Sequence, residues 1–227
     1  MSASSFTCTA AAAALVCVAA PAYAQDDDWQ LWTTATANFD LGDETTFSPQ
    51  LVMRFGDEAE GLSELQLQAD VEKEVQDGLS LGGGYSYINR YDRGRVTSRE
   101  HRTRQQVRMR IGEVLGGRVE GRVRLEQRWR EGREDLMLRL RGRLTWTRKI
   151  GPQDLALRLG HESFVQLNDT DWGGEARYSR MRNQVSLRRK LGDALTGEAG
   201  YLNQYDFSDR GSDKIVHAAT FALTYDF

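Results

Sequence analysis

Residues 118 to 130 read RVEGRVRLEQRWR, with an ionised side chain at every even position: Arg118, Glu120, Arg122, Arg124, Glu126, Arg128 and Arg130. The odd positions, Val119, Gly121, Val123, Leu125, Gln127 and Trp129, are mostly apolar. A period of two is the signature of a strand, whose successive side chains point to opposite faces. Wound as a helix, the same charges would scatter around the whole circumference and leave no apolar stripe to bury. The stretch is a two-faced strand, and the fold depends on what lies against each face.

The neighbouring segments repeat the pattern. Between 135 and 149, Leu136, Leu138, Leu140, Leu144 and Trp146 alternate with Arg139, Arg141, Arg143, Thr145 and Thr147. Between 63 and 76, Leu65, Leu67, Ala69 and Val71 oppose Glu64, Gln66, Gln68, Asp70 and Glu72. Between 153 and 167, Leu155, Leu157 and Leu159 oppose Asp154, Arg158 and Glu162. Such segments are predicted near 29–39, 46–55, 63–76, 79–91, 97–111, 114–130, 135–149, 153–167, 175–191, 194–207 and 213–227, with hardly a helical pattern between them. Many exceed the five or six residues usual in a soluble sheet. The expected fold is all-β, an antiparallel up-and-down meander closed into a barrel.

Tight connections are expected at 76–78, 112–113, 151–153 and 192–193, and looser ones at 57–62, 92–98, 131–135, 168–174 and 208–212. Outer-membrane barrels show this asymmetry, with short periplasmic turns and longer outer loops, and their strand number is even. An odd count would start the Trp29 strand on the outer side, so twelve strands are expected, with ten as the alternative.

Export is expected as well. Residues 1–24 read as a signal peptide, with an apolar run from Ala10 to Ala20, then Pro21 and the cleavage site Ala22-Tyr23-Ala24, leaving 25–227 as a single barrel domain. Cys8 and Cys17 would leave with the signal, so the mature chain would hold no disulfide and no thiol nucleophile. A transmembrane barrel turns its apolar face to lipid and its polar face inward. Aromatics near strand ends (Trp29, Trp32, Tyr91, Trp129, Trp146, Tyr205, Tyr225) suit interfacial girdles. The last strand, TFALTYDF over 220–227, is similar to the C-terminal insertion signal of bacterial outer-membrane barrels, with Tyr225 and Phe227 as its aromatics. Expected partners are therefore outer-membrane lipid and, during insertion, the barrel-assembly machinery. The alternative is a soluble periplasmic barrel binding a small ligand, with its leucines inside.

Charge is unevenly spread. Residues 102–150 hold fifteen Lys or Arg against six Asp or Glu, and residues 26–100 hold six against sixteen. A nucleic-acid surface is not expected, because acidic groups recur on the same face and no stacking aromatics interleave with these arginines. Closing the meander brings basic strands opposite acidic ones. A charge network in the lumen is expected among Arg122, Arg124, Arg128, Arg139, Arg141, Arg143, Arg182, Glu64, Glu72, Glu120, Glu126 and Glu162, with Asp70 a further partner. Its ion pairs would hold the barrel, or form a constriction selecting small anionic or zwitterionic solutes.

Three histidines, His101, His161 and His217, show no metal-ligand spacing, and neither a metal nor a cofactor is expected. His161 and Ser163 share the face of Leu155, Leu157 and Leu159, the one assigned to lipid. Locally this resembles outer-membrane phospholipase A, which implies a base at His161 and a nucleophile at Ser163. No third member can be assigned, and the alternative is a polar pair at the interface.

A wider resemblance covers most of the chain. HESFVQLNDTDWG (161–173), RMRN (180–183), LGDALTGEAGYLNQY (191–205) and HAATFALTYDF (217–227), together with WQLW (29–32) and LGGGYSY (81–87), are similar to the DUF2490 family of bacterial outer-membrane barrels. The resemblance implies fold and location and carries no activity. It also implies an inward Glu162 opposite arginines such as Arg182.

Overall fold

The computed structural model describes residues 26–151, 154–208 and 211–227. The signal peptide expected over 1–24, with Cys8 and Cys17, lies outside the described residues, as does Pro152. The regular structure described is strand alone, in eleven elements: β1 (Asp26–Asp40), β2 (Thr45–Gly56), β3 (Gly61–Gln76), β4 (Leu79–Asp92), β5 (Arg95–Val114), β6 (Gly117–Arg130), β7 (Met137–Lys149), β8 (Ala156–Gln166), β9 (Arg177–Lys190), β10 (Leu195–Asp206) and β11 (Lys214–Asp226). They form one closed barrel, each strand beside its neighbours in sequence and β1 beside β11.

All sequence-adjacent pairs are antiparallel, whereas β1 and β11 run parallel, from Asp26 opposite Lys214 to Asn38 opposite Asp226. This follows from the count. An up-and-down walk reverses at every step, so an odd number of strands must close on a parallel pair. The barrel is therefore mixed, with eleven strands against the twelve expected. The Trp29 strand joins the wall and starts at the rim that carries the looser loops.

One rim is formed by segments 57–60, 93–94, 131–136, 167–176, 207–208 and 211–213, hereafter the loop rim. The other, the turn rim, holds 41–44, 77–78, 115–116, 150–151, 154–155 and 191–194. Two-residue turns at Arg93-Gly94 (φ 48° and 74°) and Leu115-Gly116 (φ 52° and 71°) have the paired positive φ that matches the twist of a hairpin. The turn expected at 112–113 is instead a β-bulge: the β5/β6 register shifts between Arg110 and Gly112, and β5 continues to Val114. Glycine at φ 154° accommodates the extra residue, and the hairpin closes one step later.

The alternation sets the faces. Leu67, Leu144 and Phe221 stand outside at 52%, 53% and 53% exposure, whereas Glu100 and Glu126, inside, are at 0% and 2%. The leucines that the soluble alternative expected inside therefore stand on the outer face. The apolar cluster inside is small, Trp32, Leu202, Val216 and Ala218 on β1, β10 and β11, and single apolar side chains such as Ile88, Met137 and Phe164 are buried elsewhere in the interior. Trp32 thus departs from the girdle expected for it. It lies three residues from Trp29, so the two rings take opposite faces. Tyr91 departs as well: beyond a register shift between Arg90 and Tyr91 it lines the interior near the loop rim.

Candidate functional site

The barrel interior holds two cavities, of about 600 Å³ toward the turn rim and about 660 Å³ toward the loop rim. Trp32, Arg54, Glu64, Arg90, Arg139 and Arg180 line both, and so form the septum between them. Two buried rings organise it. Arg54 lies 3.8 Å over Trp32 and Arg182 lies 4.9 Å from the same ring. Phe164 of β8 is surrounded by Arg139, Arg141, Arg180 and Arg182 at 4.7 to 5.8 Å. Each guanidinium on a desolvated aromatic face contributes about 0.5–2 kcal/mol.

Buried carboxylates gather the remaining arginines. Glu126 accepts from Arg139 at 2.5 Å and Arg141 at 2.6 Å. Glu162 accepts from Arg122 at 2.7 Å and Arg141 at 2.8 Å, with Arg182 at 3.9 Å. Glu64 takes Arg54 at 2.8 Å and Arg90 at 3.2 Å. Glu100 binds Arg102 at 2.5 Å and holds Arg128 through both oxygens at 2.6 and 3.0 Å. Glu72 binds Gln106 at 2.7 Å and Arg108 at 3.3 Å. Ions taken out of water are tolerated when paired and hydrogen-bonded in this way. Asp70 forms a two-pronged pair with Arg104, at 2.6 and 2.8 Å, across the glycine of β4 opposite it, Gly84. A Cβ on Gly84 would overlap the Asp70 carboxylate, so glycine makes room for that pair.

Of the residues expected in the network, Glu120 stands apart. It is part-exposed near the turn rim, with Arg118 its nearest cation at 4.0 Å, because it lies too close to the end of β6 to face the packed interior. Within that expected network, Arg124 and Arg143 have no carboxylate at ion-pairing distance among the described residues: Arg124 binds the amide oxygen of Gln106 at 2.6 and 3.0 Å, and Arg143 that of Gln184 at 3.2 Å. The turn-rim cavity is accordingly cationic, lined by thirteen arginines and six carboxylates.

Sequence reasoning missed Glu100, Arg102, Arg104, Trp32 and Phe164 as interior groups. The signal was present, since Glu100, Arg102 and Arg104 alternate just as 118–130 does. Phe164 and Trp32 also supply, from other strands, the stacking aromatics that the basic block itself lacks. They do so inside the barrel.

On the outer surface, β8 presents His161 and Ser163. His161 Nε2 is 3.1 Å from Ser163 Oγ, and His161 Nδ1 is 2.8 Å from Oδ1 of Asn183, its register partner on β9. Asn183 thus stands on the side of His161 away from Ser163, a neighbour that the sequence alone could not assign. Tyr178 completes the chain, its hydroxyl 3.0 Å from Ser163 Oγ. Glu162, between the two, points inward. Among the described residues no group of three or more His, Cys, Asp or Glu is arranged to hold a metal ion.

The family described as "Protein of unknown function (DUF2490)" matches over residues 29–215. The chain belongs to the DUF2490 family. It is 35% identical over 180 residues to an uncharacterized protein of Methylorubrum extorquens, covering 78% of each chain. No solved structure matches. The matched region of this DUF2490 chain contains the septum, the carboxylate nodes and the outer His161 cluster. The end of the DUF2490 barrel lies just beyond it. There Phe227 stacks on Phe39 of β1 at 4.6 Å, packs against Tyr225 at 4.6 Å, and donates its N–H to the Asn38 carbonyl at 2.8 Å.

Proposed function

We propose that this protein is a structural barrel of a bacterial outer membrane with a narrow, anion-attracting interior. The observation that carries the reading is the inverted burial pattern: leucines, valines and aromatics stand on the outside of a closed wall while arginines and carboxylates fill the inside. Water does not favour such an outer face, whereas lipid does. The aromatics support the same placement. Trp29 and Trp129 ring the loop end of the outer face, and Phe39, Trp146, Tyr225 and Phe227 the turn end. Trp29 and Phe39 lie ten residues apart on one strand. At about 3.3 Å per residue and a tilt of about 40°, that separates the rings by about 25 Å along the axis, the height of the apolar band of an outer-membrane barrel.

Inside, the arginine excess on the turn side favours anions entering from that rim, and the septum limits passage. The purified chain is expected to migrate faster on a gel unheated than boiled, and to resist carbonate extraction. In planar bilayers it should show small currents with an anion preference that falls in the double variant Arg124→Gln/Arg143→Gln. Recovery in the aqueous phase without a heat-dependent shift would sink the membrane reading, and a cation preference would sink the reading of the interior.

A further inference from the structure

We propose that Ser163, His161 and Asn183 form a serine–histidine–asparagine acyl-transfer site on the outer face of the wall, acting on carboxylic esters of lipids. The substrate class rests on the reading above that this face meets lipid. The site itself rests on its geometry.

The three side chains form a directed hydrogen-bond series. With Asn183 Oδ1 as acceptor, His161 carries its proton on Nδ1, which leaves Nε2 free to accept from the Ser163 hydroxyl. Tyr178 then donates to Ser163 Oγ. This is the nucleophile, base and orienting group arrangement that activates a serine, and it is recognised by geometry rather than by position in the chain. The other two outer histidines provide a contrast. His101 and His217 each meet a tyrosine hydroxyl at Nδ1, Tyr85 and Tyr201, both at 2.5 Å. Of the three, only His161 has an aliphatic hydroxyl at Nε2 and an amide oxygen at Nδ1. A histidine serving only as a polar group of the girdle would need neither.

The wall next to Ser163 is open. Its register partner on β7 is Gly142, where an added Cβ would meet nothing within 4 Å. Leu140 and Leu144, on either side of this notch, are exposed, so an acyl chain laid along β7 would bring its carbonyl beside Ser163. From behind, buried Glu162 and Phe164 hold β8 in place.

The reaction needs no co-reactant beyond water. Ser163 Oγ bonds the ester carbonyl carbon as its proton passes to His161 Nε2. Tyr178, released from Oγ, is placed to donate to the oxyanion. The carbon–oxygen bond to the alcohol breaks and the alcohol leaves with the proton from His161. Water then attacks the acyl-serine, giving a proton to His161, which returns it to Ser163 Oγ as the fatty acid departs. Ser163 and His161 are the catalytic residues, and Asn183 is a positioning residue.

The test uses the full chain folded in detergent, a fluorophosphonate probe, p-nitrophenyl butyrate, and vesicles of dye-labelled phosphatidylcholine. Wild type should label and hydrolyse both esters. Ser163→Ala should lose labelling and turnover while keeping its heat-dependent gel shift. His161→Phe should lower kcat on the order of 10²–10⁴-fold, the usual worth of a general base. Asn183→Ala should lower kcat at least about tenfold with KM little changed, and Asn183→Asp should restore activity with the acid limb of the pH profile displaced. No labelling of a wild type that shows the gel shift, or equal turnover in Ser163→Ala, would overturn the site. Labelling does not depend on a bilayer, so a chain found in the aqueous phase would count against the membrane reading and the lipid substrate, with the serine site judged separately by the probe.

Discussion

Glu100 shows what a single side chain does in this interior. It is wholly buried, it bonds Arg102 and Arg128, and Arg90 lies 3.5 Å away. Its replacement by Gln keeps the shape and removes the charge that offsets those cations. Breaking a buried pair from one side costs about 3–5 kcal/mol, so Glu100→Gln should lower the urea midpoint of the folded barrel by that equivalent, whereas Glu120→Gln, part-exposed near the turn rim, should leave it nearly unchanged. Which residues point inward was legible from alternation alone. Their pairing was not. Arg104 on β5 reaches Asp70 on β3, and Arg122 on β6 reaches Glu162 on β8, each passing over an intervening strand. Such pairs depend on the curvature of the closed wall and on arginine's length, neither of which a linear pattern encodes.

At the scale of strands, the eleven predicted segments correspond to the eleven observed elements, because a one-residue error would turn every side chain to the wrong face. Where the reading slipped, a bulge had absorbed a residue, as at Gly112, or parity was overlooked, as at Trp32. The pairing of β1 with β11 was beyond reach. Each strand looks ordinary alone, and the parallel closure follows only from an odd count of joined strands. It is directly testable, since Ala35 and Leu223 are register partners on the outer face of β1 and β11. In the double variant Ala35→Cys/Leu223→Cys, mild oxidation should cross-link the two strands within one chain and abolish the heat-dependent gel shift until reductant is added. Moving the second cysteine to Phe227 should give no such cross-link.

For the whole molecule, the formal net charge of −3 hides a division of labour. Acidic residues are abundant in the first strands, the middle strands are basic, and closure sets one against the other with arginine in excess around the turn-rim cavity. The septum divides that cavity from its neighbour, and Trp32 is its largest apolar member. Trp32→Ala should join the two cavities and raise single-channel conductance several-fold with the anion preference kept; conductance equal to wild type would mean the guanidiniums alone close the passage. The parallel seam has a further consequence, for engineering and descent. Asp26 and Phe227 lie at opposite rims, separated along the wall by nearly the whole of β1, a strand of 15 residues that spans about 50 Å at about 3.3 Å per residue. A short linker cannot join them, so a circular permutant of this barrel needs an added twelfth stave to carry the chain back. Two reporters, one joined ahead of Asp26 and one after Phe227, would sit at opposite rims of the wall, which makes the barrel a direct readout of its own orientation.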